Sequence, residues 1–267
     1  MNINYEAIEN LVRKAGQILL KGKAADNTIH QKEGLANFCT DLDLELQRFL
    51  INGLRDILPS ATFFGEEETE GNDTSAVSDG YTFFVDPIDG TTNFIFDYHH
   101  SCVSVGLSYE RKMIAGFIYN PYVDEMFLGI RGKGSFLNGR KLEIRNSNLS
   151  QGIVAFGCAR YNEGDTDLLF AAVKEIYLQS LSVRNGGSAA LDLCRVASGS
   201  NVAYLELKLQ PYDYAAASVI IEEAGGCIGQ VDGEAITLNQ PCSILAGTAA
   251  AVKEIQKLLM QQRGGKT

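Results

Sequence analysis

The chain has 267 residues, 45% hydrophobic and 21% charged, a composition that buries a sizeable core and lies outside the range of disordered chains. Its 33 acidic and 23 basic residues leave a formal net charge of −10. That balance argues against nucleic acid as the main partner, because backbone phosphates call for a basic face.

The N-terminus MNINYEAIENLVRKAGQ carries no apolar core of a secretory signal, and no run of about 18 apolar residues follows. The six cysteines include no CxxC pair. They read as reduced, mostly buried thiols of a cytoplasmic protein with no membrane segment.

In chain order, Tyr5 to about Lys21 predicts a helix, with Ile8, Leu11, Val12, Ala15, Ile18 and Leu19 recurring at steps of three and four. A second helix starts near Thr40 and runs to Leu58, where Pro59 stops it. Glu70 to Gly80 is a polar loop. Tyr81 to Val85 is a short aromatic and β-branched run, hence a strand ending on Asp86. Between Ser101 and Ile144, turn signals at Glu110-Arg111-Lys112, Asn120-Pro121-Tyr122 and Asn138-Gly139 separate strand-like runs and predict an antiparallel meander. Beyond about Ser150 the texture alternates. Val154–Phe156, Ser182–Arg184 and Val202–Leu207 read as strands, and Asp165–Tyr177, Ala189–Ala197 and Tyr214–Ala224 as helices, with Gly225-Gly226 a C-cap. The expectation is an α+β part over 1–150 and an α/β part over 151–267 that completes the site. The basic tail from Gln261 to Thr267 is expected to fray.

Acidic residues stand where strands or loops meet helix starts. Glu66, Glu67 and Glu68 follow Phe63-Phe64-Gly65; Asp86 and Asp89 flank Pro87-Ile88; Asp213 precedes an Ala-rich helix. Hard divalent cations take few carboxylates together with water and substrate oxygen. Asp86, Asp89 and the Ile88 carbonyl can converge on one such ion. The following Gly90-Thr91-Thr92-Asn93 can open a helix whose N–H groups suit a phosphate. Each feature also has a plain reading. Asp-Pro and Asp-Gly are common in turns, a glutamate run is usually solvated, Asp213 can be an N-cap, and Asp43 can be the acidic partner of a Thr40 cap.

Joint occurrence changes that balance. Gly65-Glu66-Glu67, the unbroken DPIDGTTNF from Asp86 to Phe94, and Asn37-Phe38-Cys39-Thr40-Asp41-Leu42-Asp43 with Lys32 upstream all occur. So do Gly187 to Leu191 (GSAAL) and Tyr212-Asp213-Tyr214-Ala215-Ala216-Ala217 followed by Glu223-Ala224-Gly225-Gly226. In these stretches, and in their order, the chain resembles the inositol monophosphatase family of magnesium-dependent, lithium-sensitive phosphatases. Two departures are visible: Tyr212 stands where the family usually has tryptophan, and Ala217 where it has glycine. Neither removes a ligand, and both bear on substrate fit.

The resemblance implies a layered αβαβα sandwich of the inositol monophosphatase and fructose bisphosphatase type, a homodimer, and two or three Mg2+ ions per site. Glu66, Asp86 and the Ile88 carbonyl would hold the first ion. Asp86, Asp89 and Asp213 would hold the second, and Glu66 and Glu67 would lie near a looser third. Thr91 and Asp43 would position and deprotonate the attacking water, with Glu66 also in the catalytic set. Gly90, Thr91 and Thr92 would contact phosphate, and Ser188, Ala189 and Glu206 the alcohol portion. The implied reaction is hydrolysis of a small phosphate monoester without a phosphoenzyme. Glu206 and the short chain favour myo-inositol monophosphate over histidinol phosphate, fructose 1,6-bisphosphate, NADP or a nucleotide 3′-phosphate. Some bacterial members of the family also bind transcription machinery, and such a regulatory role is the alternative of another class.

Other hydrolase patterns fail on residue type. Asp41-Leu42-Asp43 as a dehalogenase-type DxD lacks the following Thr or Val, having Glu45 there; Gly129 to Gly134 lacks the GK[ST] of a P-loop. The three histidines, two of them adjacent, make a poor zinc set.

Overall fold

The computed structural model describes residues 3–22, 28–32, 38–68, 77–158 and 166–264. Asn37, most of the Glu70–Gly80 loop, Asp165 and the last three residues of the tail lie outside them.

The chain opens with α1 (Tyr5–Lys21), capped by the Asn4 side chain, then β1 (Ile29–Gln31), β2 (Phe38–Thr40) and α2 (Asp41–Ile57). Thr40 and Asp43 form a reciprocal capping box at the start of α2, which fixes the Asp43 carboxyl at the helix entrance. Next come β3 (Thr62–Gly65), β4 (Tyr81–Asp89) and α3 (Thr91–Ile95). The predicted meander follows as β5 (Cys102–Tyr109), β6 (Lys112–Asn120), β7 (Glu125–Ile130), β8 (Gly134–Leu137) and β9 (Arg140–Lys141). Its tight turns take left-handed backbone at Glu110-Arg111 (φ 51° and 59°) and Asn138-Gly139 (φ 48° and 77°), the conformation that matches hairpin twist.

The rest is β10 (Ile153–Phe156), α4 (Thr166–Gln179), β11 (Ser182–Arg184), α5 (Ala189–Ala197), β12 (Ala203–Leu209), α6 (Pro211–Glu223), β13 (Cys227–Gly229), β14 (Cys242–Gly247) and α7 (Ala249–Gly264).

Seven strands form one sheet in the order β3-β4-β5-β6-β7-β8-β9, antiparallel except for β3 on β4. Five form a second, β11-β10-β12-β14-β13, with β10, β11 and β12 parallel and β14 antiparallel to both neighbours. Strand alternation divides the core into layers. Val103, Val105 and Leu107 of β5 pack under α1 and α2. On the other face, Cys102, with Ile118 and Phe127 from β6 and β7, meets α5 and α6, which also cover Ala155, Tyr204, Ile244 and Ala246 of the second sheet. The outer face of that sheet, with Val154, Ala203, Leu205 and Leu245, packs on α4 and α7. The result is the five-layered αβαβα sandwich.

Three sequence-based boundaries shift. β4 does not end at Asp86 but continues to Asp89, with a break in pairing to β5 between Asp86↔Ser104 and Asp89↔Cys102; Pro87 has no N–H to give the ladder, and the Ile88 N–H turns to Asp86 Oδ1 at 3.1 Å. α6 begins at Pro211, not Tyr214, because proline is preorganised at N1. Asp213 is therefore the N3 residue and not the N-cap. The tail expected to fray from Gln261 is helical to Gly264. The elements β1, β2, β3, β13, β14 and α7 carried no prediction.

α6 lies unusually close to the seven-stranded sheet. Gly106, Gly116 and Gly129 are register partners across β5, β6 and β7 and make a side-chain-free row under the helix. A Cβ at Gly116 would overlap the Ala216 carbonyl, and one at Gly129 would stand 2.7 Å from the Ile220 Cα. Gly116→Ala should cost about 1–3 kcal/mol by overpacking, seen as a lower urea midpoint with unchanged slope. A wild-type midpoint would contradict this close approach.

Candidate metal and phosphate site

The break in β4 shapes the centre of the site. Asp86 and Asp89 turn to the same side, and α6 brings Asp213 from the other half of the chain. One carboxylate oxygen of each lies within 4.8 Å of the others. All three are nearly sealed from solvent at 1%, 7% and 8% exposure. Like charges so close repel by on the order of 3 kcal/mol per pair at an effective dielectric of about 20.

Hydrogen bonds hold the acids in place. Asp213 Oδ2 accepts the Gln210 N–H at 2.8 Å. Asp89 Oδ2 accepts the Ala190 N–H at 2.9 Å and the Ser188 hydroxyl. Thus α5 presents Ser188, its N-cap, to a carboxylate rather than leaving it on the surface.

Glu66 sits just past β3, continuing its pairing through a hydrogen bond from its N–H to the Val85 carbonyl. The three glutamates are not a uniformly solvated run. Glu68 is exposed, while Glu67 is buried and Glu66 half-buried. Lys32 reaches Glu66 at 3.0 Å and Glu67 at 2.5 Å. The Gln47 amide donates to the Glu67 carbonyl at 2.5 Å and accepts its N–H at 2.8 Å, tying this segment to α2.

Asp43 faces the same space. Its Oδ2 accepts from the Thr40 N–H at 2.7 Å, and its Oδ1 lies 3.2 Å from the Thr91 hydroxyl, which is also 3.0 Å from the Ile88 carbonyl. Thr91 opens α3 behind Gly90, whose φ of 92° is left-handed. A side chain at Gly90 would also press on the His100 and Gly187 carbonyls. Glycine is required there, and the first-turn N–H groups of α3 have no acceptor within the helix.

Electrostatics report the same crowding. Burial, then the neighbouring carboxylates, push Asp86 and Asp213 well above the ordinary carboxylate range. Burial also raises Asp89, against its hydrogen bonds from Ser188 and Ala190. Burial lifts Glu66 to about 7, although Lys32 opposes it, and lifts Asp43 to about 6 against the Thr40 bonds. Among the described residues no cationic side chain is ion-paired with Asp86, Asp89 or Asp213. The donors of this cluster are hard oxygens in a nearly dry setting, which fits a hard divalent cation at Asp86, Asp89 and Asp213.

A cleft of about 380 Å³ opens over these residues. Glu66, Asp86, Ile88, Asp89 and Asp213 line it together with Gly90, Thr91, Thr92, Ser188, Ala189 and Glu206. Of the predicted site residues, Asp43 and Glu67 are not on its wall, and Asp43 joins through Thr91. Residues not anticipated also line it, among them Gly157, Cys158, Asn185, Asp192 and Tyr204. Periodicity held a signal for some of them. Tyr204 shares a strand face with Glu206, Asp192 follows Ser188 by one helical turn, and Gln47 follows Asp43 by one.

With known proteins the likeness is extensive. The model of the inositol monophosphatase family matches residues 4–264. Inositol monophosphatase 3 of Solanum lycopersicum is 35% identical over 91% of this chain and 90% of its own length. Among solved structures, the extragenic suppressor protein SuhB of Bartonella henselae superposes with a TM-score of 0.87 at 28% identity, covering 96% of this chain and 97% of that one. The inositol monophosphate-bound form of SaIMPase-II gives 0.81 at 29% identity, covering 98% and 95%.

The carboxylate shifts set a pH dependence. Unfolded carboxylates titrate near 4, whereas Asp43 and Glu66 keep protons to about 6 and about 7 in the fold. Between about pH 4 and 7 the folded chain therefore binds more protons than the unfolded chain, and stability falls as pH rises. Protein stripped of divalent cations should melt higher at pH 5 than at pH 8, and Mg2+ should raise the Tm more at pH 8. A chelated protein whose Tm climbs toward pH 8 would contradict this.

Proposed function

The chain belongs to the inositol monophosphatase family, and from that premise we propose that it is a Mg2+-dependent phosphatase hydrolysing a small phosphate monoester, with myo-inositol monophosphate the preferred substrate. The observation that carries the reading is the convergence of Asp86, Asp89 and Asp213 within 4.8 Å beside the start of α3. That convergence supports a cation site next to a phosphate-binding backbone in one cleft. The inositol monophosphate held by the related SaIMPase-II supports the substrate class.

In this reading Glu66, Asp86 and the Ile88 carbonyl would hold one cation, and Asp86, Asp89 and Asp213 a second, with Glu66 and Glu67 near a looser third. Bound Mg2+ supplies neutralisation of phosphoryl charge and acidification of water. The protein's own groups do the rest. Gly90, Thr91 and Thr92 receive the phosphate at the N-terminal turn of α3. The Thr91 hydroxyl, within 3.2 Å of Asp43, accepts a hydrogen bond from the attacking water while donating to the carboxylate. Asp43, titrating at about 6, is anionic at neutral pH and takes up the proton as phosphorus is attacked. Ser188, Ala189 and Glu206 face the alcohol. Phosphoryl transfer needs mainly positioning and charge neutralisation, so no covalent nucleophile is required.

Phosphate release measured over a panel of monoesters with and without Mg2+ tests this. Wild type should turn over myo-inositol 1-phosphate only with the metal. Asp89→Asn and Asp213→Asn should each lose at least about 100-fold in kcat, and Thr91→Ala on the order of 10- to 100-fold, in the range of a lost transition-state or proton-transfer contact. Full activity in Asp213→Asn would remove the metal assignment.

A further inference from the structure

The alcohol end of the cleft contains a structural device beyond the residues assigned so far. β12 alternates, so Ala203 and Leu205 point to the outer helices while Tyr204 joins the core on the opposite face. Glu206, two residues on, shares that face. Both side chains are buried, at 1% and 5% exposure, and both line the cleft. The Tyr204 hydroxyl donates to Glu206 Oε2 at 2.5 Å, a short hydrogen bond. Burial and the neighbouring Glu206 push the phenol far up, so it remains a donor.

The neighbouring strand is cut away to admit this pair. Gly157 extends β10 alongside β12, its N–H bonded to the Leu205 carbonyl at 3.0 Å. A Cβ there would overlap Glu206 Oε2 and stand 2.6 Å from the Tyr204 hydroxyl. Gly157 therefore leaves room for the carboxylate in the orientation the tyrosine dictates. A second carboxylate, Asp192, lines the same end, its Oδ2 held by the Gly186 N–H at 3.0 Å.

We propose that Tyr204 is a positioning residue which, with the space left by Gly157, aims Glu206 at the hydroxyl groups of a polyhydroxylated alcohol, so that this end of the cleft selects phosphate esters rich in hydrogen-bond donors. The inference rests on the phosphatase reading above and deepens it. Tyr204 does not touch the reacting atoms. Its effect lies in how well the alcohol is held, since a carboxylate free to rotate loses part of its energy of recognition to ordering. A hydroxyl-poor ester such as p-nitrophenyl phosphate needs the metal and phosphate groups but not this contact.

The test compares Tyr204→Phe and Gly157→Ala with wild type on myo-inositol 1-phosphate and on p-nitrophenyl phosphate, in saturating Mg2+. The two variants disturb one carboxylate by different means, the first by removing its donor and the second by occupying its space. For both, kcat/KM on the inositol ester should fall about tenfold more than on p-nitrophenyl phosphate, with the difference in KM rather than kcat. Equal losses on the two esters, or no loss on the inositol ester in Tyr204→Phe, would overturn the positioning role. Wild-type protein inactive on both esters would overturn the phosphatase reading, and this proposal with it.

Discussion

Three acidic side chains packed together away from water govern how this molecule is built. Asp86, Asp89 and Asp213 converge, and Glu66, half-buried, adds its charge beside Asp86. Such a cluster destabilises a fold unless positive charge enters it. Each surrounding feature keeps the acids together. The pairing break in β4 turns Asp86 and Asp89 to one side. Lys32 and Gln47 secure the Glu66-Glu67 segment, and Ser188 with the Ala190 N–H grips Asp89. Stability is given up locally, as expected where function sets the geometry.

Asp213 shows how remote packing serves that purpose. It rides on α6, and α6 can approach only because Gly106, Gly116 and Gly129 remove three side chains from adjacent strands. The helix answers with Ala215, Ala216 and Ala217, all buried. Ala217, where the family usually has glycine, is buried in the core that α6 shares with α5. Tyr212 packs toward Phe64, with ring centroids 6.4 Å apart, joining α6 to the strand that delivers Glu66. The acids thus come from three segments, yet two packing contacts set their spacing.

Much of this was legible in the sequence, for a physical reason. Asp86 to Thr92 encodes a local event, a proline-interrupted strand running into a glycine-started helix, and local events leave contiguous signatures. The Thr40–Asp43 capping box and the α1 stripe are of the same kind. Across-sheet facts leave no such trace. The row Gly106, Gly116, Gly129 is regular only in register, and β14, an interior strand of the second sheet, is a short apolar run that periodicity does not separate from helix. Asp213 was misplaced by the pull of its N-cap preference, where Pro211 in fact begins the helix. Tyr204 escaped notice because a core tyrosine looks ordinary until its hydroxyl is seen against Glu206.

The decisive experiment is anomalous diffraction from a crystal soaked in Mn2+, a divalent cation with the same oxygen preference as Mg2+. A strong anomalous peak is expected enclosed by Asp86, Asp89 and Asp213, absent in Asp213→Asn crystals treated alike. A featureless map at those carboxylates, with the protein otherwise folded as described, would contradict it.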